Sequence, residues 1–426
     1  NGKISGEQLH EAHLYIKFIP DHDLELNQLR ADTSLILYPY PLDYEIKSKG
    51  YSYRDPDVPA NKPGFQYCAV NAKKDLPKKI KYVVLAKLFI PEDGGEQFVK
   101  IANGKFSGAN MSNSLENEAF KLTNNLAELK KHSKNGRTAS YTPAGRIVFN
   151  DDTKGLIGIQ GLQVRARRWF TTHRGYCEIN GNFTCNGTFS NDCDWSLNWE
   201  NMLFNIVDPS GTSLQLSRGP NTSSNWNIEI ADFLGIYFSE LFRPAFRYYF
   251  LDIQELRRPL VGNPLEIRAM FNINTGTDAR FFPLSIFGTI SQVKVWLPNS
   301  SSSYRYGTVI HELAHAAHWN INPIVFIEAQ NSVRESWAAG VENIVTQLEY
   351  TNYSVSYGIS PPYTDVVRRM IDPINPPHDN VSGYNIKQIE DALVGTRFNV
   401  EWMARIINNY ENSTENNVPA LFNFHN

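Results

Sequence analysis

The sequence predicts a multidomain α+β protein in three parts: an N-terminal α+β region at 1–145, a small antiparallel β-sandwich at 146–225 and a mostly helical C-terminal domain at 226–426. Three observations carry that division. Long apolar runs and one amphipathic helical pattern precede Pro143 and Gly145; short segments separated by turn residues follow; and from Ile228 onward apolar residues recur at helical spacing. A chain of 426 residues can bury more than one core. Its 41 Lys+Arg against 44 Asp+Glu lack the basic excess of a duplex nucleic-acid binder. A composition 42% apolar and 12% aromatic is that of a globular chain, and no run of 18 apolar residues offers a transmembrane helix. The opening residues, Asn1 to His13, are polar and lack a basic-then-apolar leader, as expected of a mature or trimmed chain.

In the first part, 14–19 (LYIKFI) and 82–90 (YVVLAKLFI) read as strands. Pro39, Pro41, Pro56, Pro59 and Pro63 make the intervening chain loop-rich. A helix is expected over 114–131, where Leu115, Ala119, Leu122, Leu126 and Leu129 fall on one face. Lys130, Lys131, His132 and Lys134 close it with cations suited to a helix C-terminus.

The second part reads as short strands at 146–149, 156–159, 162–170, 182–189 and 202–206, with Arg165, Arg167 and Trp169 on one polar face. Asn180-Gly181 signals a hairpin. With a three-residue loop Cys177 lies opposite Cys185; with a two-residue loop it faces Thr184. A disulfide and a set of small buried thiols, with Cys193 and Cys68 beside them, both remain open. No CxxC occurs, which argues against a thiolate zinc knuckle. The run GLQVRARRWFTTHRGYCEINGNFTCNGTF resembles the carboxypeptidase regulatory-like (transthyretin-like) sandwich, whose domains are usually accessory.

The third part begins after an Asn- and Ser-rich loop at 219–225. Residues 228–257 carry a wide apolar helical stripe that Pro244 should kink or divide. Val293, Val295 and Leu297 alternate as a strand, 298–303 reads as a loop, and a helix is expected over 308–319 with Thr308 as its N-cap. A further helix is expected over 386–393.

Inside the 308–319 helix stands HELAH. Spacing of i, i+4 puts His311 and His315 on one face, where they can share a metal, and Glu312 lies between them. Burying two imidazoles and a carboxylate is costly without partners, and a shared dication removes that cost. After 19 residues, Ala316 to Arg334, comes Glu335, opening a second helical pattern with Trp337, Val341, Ile344, Val345 and Leu348 on its apolar side. Two His and one Glu leave a fourth tetrahedral position open, as at catalytic zinc. Glu328 and Glu342 are rival third ligands. His318 lies about 10 Å further along the axis than His311, too far to join the same metal, and is either a packed or a substrate-facing residue.

This pattern resembles the gluzincin metallopeptidases, the thermolysin-like branch of the zincins. The resemblance rests on HELAH, the 19-residue spacing and Glu335, about 25 residues in all. It implies a zincin-like domain, His311, His315 and Glu335 as Zn²⁺ ligands, and Glu312 as general base. The thermolysin pattern places an Asp four residues after the Glu ligand to support a His; here Ala339 stands there, so support must come from elsewhere, with Glu342 in view. The metzincin pattern fails, since its Gly and third His are replaced by His318 and Ile321.

The implied activity is hydrolysis of a peptide bond in a peptide, protein or glycoprotein by metal-activated water. The strand 293–297 is expected to pair with an extended substrate as an edge strand does in zincins. His378 and Tyr384 compete with Tyr350, Tyr353, Tyr357 and Tyr363 as the donor to the oxyanion. The sandwich and the resemblance together imply an extracytoplasmic location: secreted, periplasmic or cell-surface. The alternative is an inactive zincin-like chain that binds a glycan or a protein as an adhesin.

Overall fold

The computed structural model describes residues 3–4, 7–8, 13–44, 53–90, 117–126, 140–189, 191–213, 224–259, 264–274, 276–283, 291–358, 362–374 and 380–425. The chain is a mixed α and β protein with several antiparallel sheets. It parts into two compact units, Asn1–Asn150 with Lys154–Ile236, and Asp151–Thr153 with Tyr237–Asn426.

In the first unit, β1 (Lys3–Ile4) pairs with β2 (Glu7–Gln8). Strand β3 (His13–Ile19) runs antiparallel between β4 (Gln66–Asn71) and β5 (Lys81–Leu88). Helix α1 (Asp23–Ala31), capped by the His22 side chain, sets Leu29 against Ile16, Phe18 and Cys68. The expected 114–131 helix is helical at 117–122 among the described residues. It stops where Asn124 takes a φ of 60°, the left-handed geometry that ends helices. Of the expected face Ala119 is buried, as is Phe120, whereas Leu122 and Leu126 are exposed; Leu115 and Leu129 lie outside the described residues. The basic cluster 130–134 lies outside the described residues.

The same unit contains β6 (Ala144–Asp151) up to Asn150, β7 (Gly155–Gly158), β8 (Gln163–Arg168), β9 (Thr171–Tyr176), β10 (Asn182–Thr184), β11 (Asp194–Asn198), β12 (Phe204–Val207) and β13 (Trp226–Ile230). One sheet has the order β10-β6-β13 with β7 also on β6, and the other β11-β8-β9. Trp195 joins their faces, 5.8 Å from Phe183 and 5.5 Å from Trp226. The pairing is not wholly antiparallel: β13 runs parallel to β6, and residues 228–230, expected to be helical, belong to that strand.

The chain does turn at Asn180-Gly181, where the Gly181 N–H donates to Glu178 O and φ is +84°. A Cβ on Gly181 would sit 2.1 Å from Ile147 O, so only glycine fits. The flanking strands nevertheless part, β9 pairing with β8 and β10 with β6, so the expected hairpin is a bridge between sheets. All four cysteines are free and buried, and burial pushes each thiol up to about 12. The polar face of β8 is buried too. Arg165 donates to Leu37 O at 2.7 Å and Arg167 to Leu42 O at 3.1 Å, which ties the strand to the N-terminal region. The sequence boundary at 145 therefore falls inside a strand of one continuous unit.

Helix α2 (Phe233–Phe250) passes Pro244 without being divided and buries Tyr237, Phe238, Leu241, Phe242 and Tyr248. In the second unit β16 (Gln292–Val295) lies between β14 (Leu265–Ala269), parallel to it, and β15 (Ala279–Phe282), antiparallel. Helix α3 (Ser302–Ile321) starts six residues before the expected Thr308, because the Ser301 side chain accepts from Tyr304 N–H and caps it. Then come α4 (Pro323–Glu328), α5 (Asn331–Gln347), α6 (Val366–Ile371), α7 (Ile386–Leu393), α8 (Asn399–Asn409) and α9 (Val418–Phe424).

Candidate metal centre

The middle of α3 is buried on every side, which its sequence explains: Val309, Ile310, Leu313, Ala314 and Ala317 surround His311, Glu312 and His315. The three polar residues are only 6%, 6% and 7% exposed. Helix α5 packs alongside and brings Glu335 to the two imidazoles. Its Oε2 stands 3.3 Å from His311 Nε2 and 3.1 Å from His315 Nε2. The three donor atoms all lie within 4.8 Å of one another. A tetrahedral ion with bonds of about 2.0 Å separates its ligand atoms by roughly 3.3 Å, so these donors fit a single small dication. Two imidazole nitrogens and one carboxylate oxygen form a set well suited to zinc. Glu335 keeps 22% of its side chain exposed, so the centre opens to solvent on that side.

One imidazole is fixed from behind. His311 Nδ1 lies 3.0 Å from Glu342 Oε2, and the Tyr353 and Tyr357 hydroxyls also donate to Glu342. A carboxylate that accepts these hydroxyl bonds accepts from His311 Nδ1–H as well, which leaves Nε2 as the nitrogen that faces Glu335. Glu342, expected either as a rival third ligand or as the support absent at Ala339, meets His311 at Nδ1, the nitrogen turned away from Glu335. The Tyr353 hydroxyl reaches it through a notch in α3 at Gly307, where a Cβ would stand 2.1 Å from that oxygen. His315 differs: its Nδ1 finds no partner among the described residues.

The electrostatics follow from the crowding of charge. Burial by itself lowers the His311 pKa, but the carboxylates of Glu335 and Glu342, with the charge of Glu312, reverse this and push it up to about 10. Burial would raise Glu335; the His315 charge and hydrogen bonds from both imidazoles hold it well below the carboxylate range. Glu312 goes the other way. Burial raises it, His315 and His311 oppose that, and the charge of Glu335 adds to the rise. The Phe281 N–H in β15 bonds to the Glu312 carboxyl and places the strand beside it. Burial, joined by the charges of His315 and Arg334, pushes His318 down to about 3 and keeps it neutral.

The other named residues separate clearly. Glu328 pairs with Arg397 on the surface and takes no part. Tyr350 donates to Asp151, and Tyr384 is buried with Glu415 as its acidic influence. His378 lies outside the described residues. Tyr363 is the tyrosine at the mouth. Its ring is 5.9 Å from His311 and 5.3 Å from Tyr357, and burial, the charges of Glu335 and Glu312 and a hydrogen bond to Glu335 push its hydroxyl up to about 12. The strand 293–297 is no edge, because β16 has a neighbour on both sides; among the described residues β15 is an end strand of that sheet and has a free side. Sequence reasoning had no signal for β15, whose ARFF lacks alternation, nor for Tyr353 and Tyr357 as anchors in an aperiodic loop. The glycine at 307, inside an apolar helix, is the one local hint of a close approach.

The chain matches no protein-family model, no curated protein and no solved structure.

Proposed function

We propose that the chain is a metal-dependent hydrolase, and specifically a zinc peptidase of the gluzincin kind. The observation that supports this most is the convergence of His311 Nε2, His315 Nε2 and Glu335 Oε2, with the buried Glu312 beside them. His311, His315 and Glu335 would hold the ion. The chemistry supplied by bound zinc at such a site is the polarisation of a carbonyl and a lowered water pKa. Glu312, held above the ordinary carboxylate range, takes the water proton and returns it to the departing amine. Tyr363 offers a phenolic O–H to the oxygen on which negative charge develops. The free side of β15 offers backbone hydrogen bonds to an extended peptide antiparallel to it.

The substrate is a peptide or protein, glycoproteins included. In this reading the 146–225 region is an accessory carboxypeptidase regulatory-like sandwich, and the location is extracytoplasmic. The test is direct. Purified protein should carry about one zinc per chain, and the zinc-loaded form should cleave a peptide library in a chelator-sensitive way. Glu312→Gln should retain the metal and lose 10²-fold to 10⁴-fold in rate. Stoichiometric metal without hydrolysis by the wild type would overturn the peptidase reading.

A further inference from the structure

One aromatic ring connects the metal centre to two polar side chains that the mechanism does not use. Phe326 of α4 packs edge-on against His315, at 6.1 Å, and against His318, at 5.0 Å. The Arg334 guanidinium lies over the same ring, 5.3 Å from its centre. His318 is 2% exposed, yet neither of its ring nitrogens has a partner among the described residues. Arg334 Nε is likewise buried without one, and the side chain's hydrogen bond runs from Nη2 to Asn331. Elsewhere in this unit Arg243, Arg268, Arg305 and Arg397 each pair with a carboxylate. Arg334 has no such pair among the described residues, although Glu335 follows it directly; that carboxylate faces the imidazoles instead.

Buried polar groups are normally satisfied, and a cation over an apolar ring with an unused inward N–H suits an anion. Resting on the peptidase reading, we propose that His318, Phe326 and Arg334 form a subsite beside the metal centre that binds a carboxylate of the substrate. The sources of that carboxylate are an acidic side chain near the scissile bond and the free C-terminus of the peptide. The guanidinium supplies the charge, the neutral imidazole adds one N–H, and the Phe326 face lowers the local dielectric and so strengthens the pairing.

The test uses the zinc-loaded full chain and peptides that differ only by Glu or Gln at each position around the cleaved bond. Each is made with a free and an amidated C-terminus. The expected result is a preference in kcat/KM of about tenfold for a carboxylate-bearing peptide. Its dependence on the side chain or on the terminus identifies the source. Arg334→Gln and His318→Leu should each bring that ratio to within about threefold of unity. His318→Leu should also raise Tm, since it replaces an unsatisfied buried imidazole with an apolar side chain. A wild type that does not discriminate, or a preference that survives both substitutions, overturns the subsite. If the zinc-loaded wild type cleaves nothing, the peptidase reading fails instead. The subsite is then judged by calorimetric binding of the same Glu and Gln peptides to the metal-free chain. Tighter binding of the Glu form that Arg334→Gln abolishes supports it, and equal binding overturns it.

Discussion

Two regions of the second unit bury charge, and they balance it differently. Around α2, Arg243 lies between Asp151 and Glu349 and accepts company from Tyr350, while Arg247 takes the other oxygen of Glu349. Two guanidinium groups there pair with two carboxylates, and those charges match. Along α3 and α5, Glu312, Glu335 and Glu342 face His311 and His315, with no lysine or arginine paired to them among the described residues. The first region pairs its charges within the protein. The second is short of positive charge, and the rise of His311 to about 10 is what that shortage does to an imidazole. Burial of charge by itself therefore does not set the two regions apart; the balance of that charge does.

Breaking the balanced cluster should produce the largest effect on the fold. Arg243→Met removes the guanidinium that pairs with the fully buried Asp151 and should cost about 3–5 kcal/mol in urea unfolding. Zinc affinity should be unaffected once the comparison is made under conditions where the variant is folded. The opposite pattern is expected at the unbalanced site. Glu342→Gln loses the anionic acceptor of the His311 Nδ1–H and should weaken zinc binding by about 10–100-fold, read by competition with a chromophoric chelator. Unchanged affinity would show that Glu342 merely packs.

The smallest effect concerns a group in neither region. His425 is buried, and neither of its ring nitrogens has a partner among the described residues; burial first, then the charge of Arg369, push it down to about 4. Its folded pKa lies below the unfolded value, so the unfolded chain binds the proton first. Its contribution is intact above pH 6.5 and is lost as the pH falls toward 4. Across that window it should contribute a slope of at most about 1.4 kcal/mol per pH unit, and His425→Leu should flatten the measured curve by that amount.

Legibility followed the same contrast between local and distant causes. Helical spacing makes α3, α5 and α7 readable, because each carries its own apolar stripe. The i, i+4 histidines are read from the same periodicity, and Glu335 from its 19-residue spacing after HELAH and the family resemblance that spacing carries. What escapes is set by partners far along the chain. TTHRGY and DWSLN form β9 and β11 because they pair on β8, and nothing within either hexad or pentad demands it. The arginines of β8 look solvent-facing until the carbonyls of Leu37 and Leu42 arrive to cover them. Ile228 to Ile230 carry apolar residues that suit a helix equally well, and pairing with β6 decides for a strand. At the centre, HELAH names the imidazoles but not what orients them, since Tyr353 and Tyr357 come from a loop with no period.

Gly307 carries a consequence for how the molecule can vary. A glycine inside a helix weakens it by roughly 1 kcal/mol relative to alanine, so fold strength alone would favour a methyl group there. Yet that methyl would occupy the passage through which a phenol reaches the carboxylate behind His311. The aim of an imidazole in the heart of the protein is therefore governed by a hydrogen atom one helical turn away.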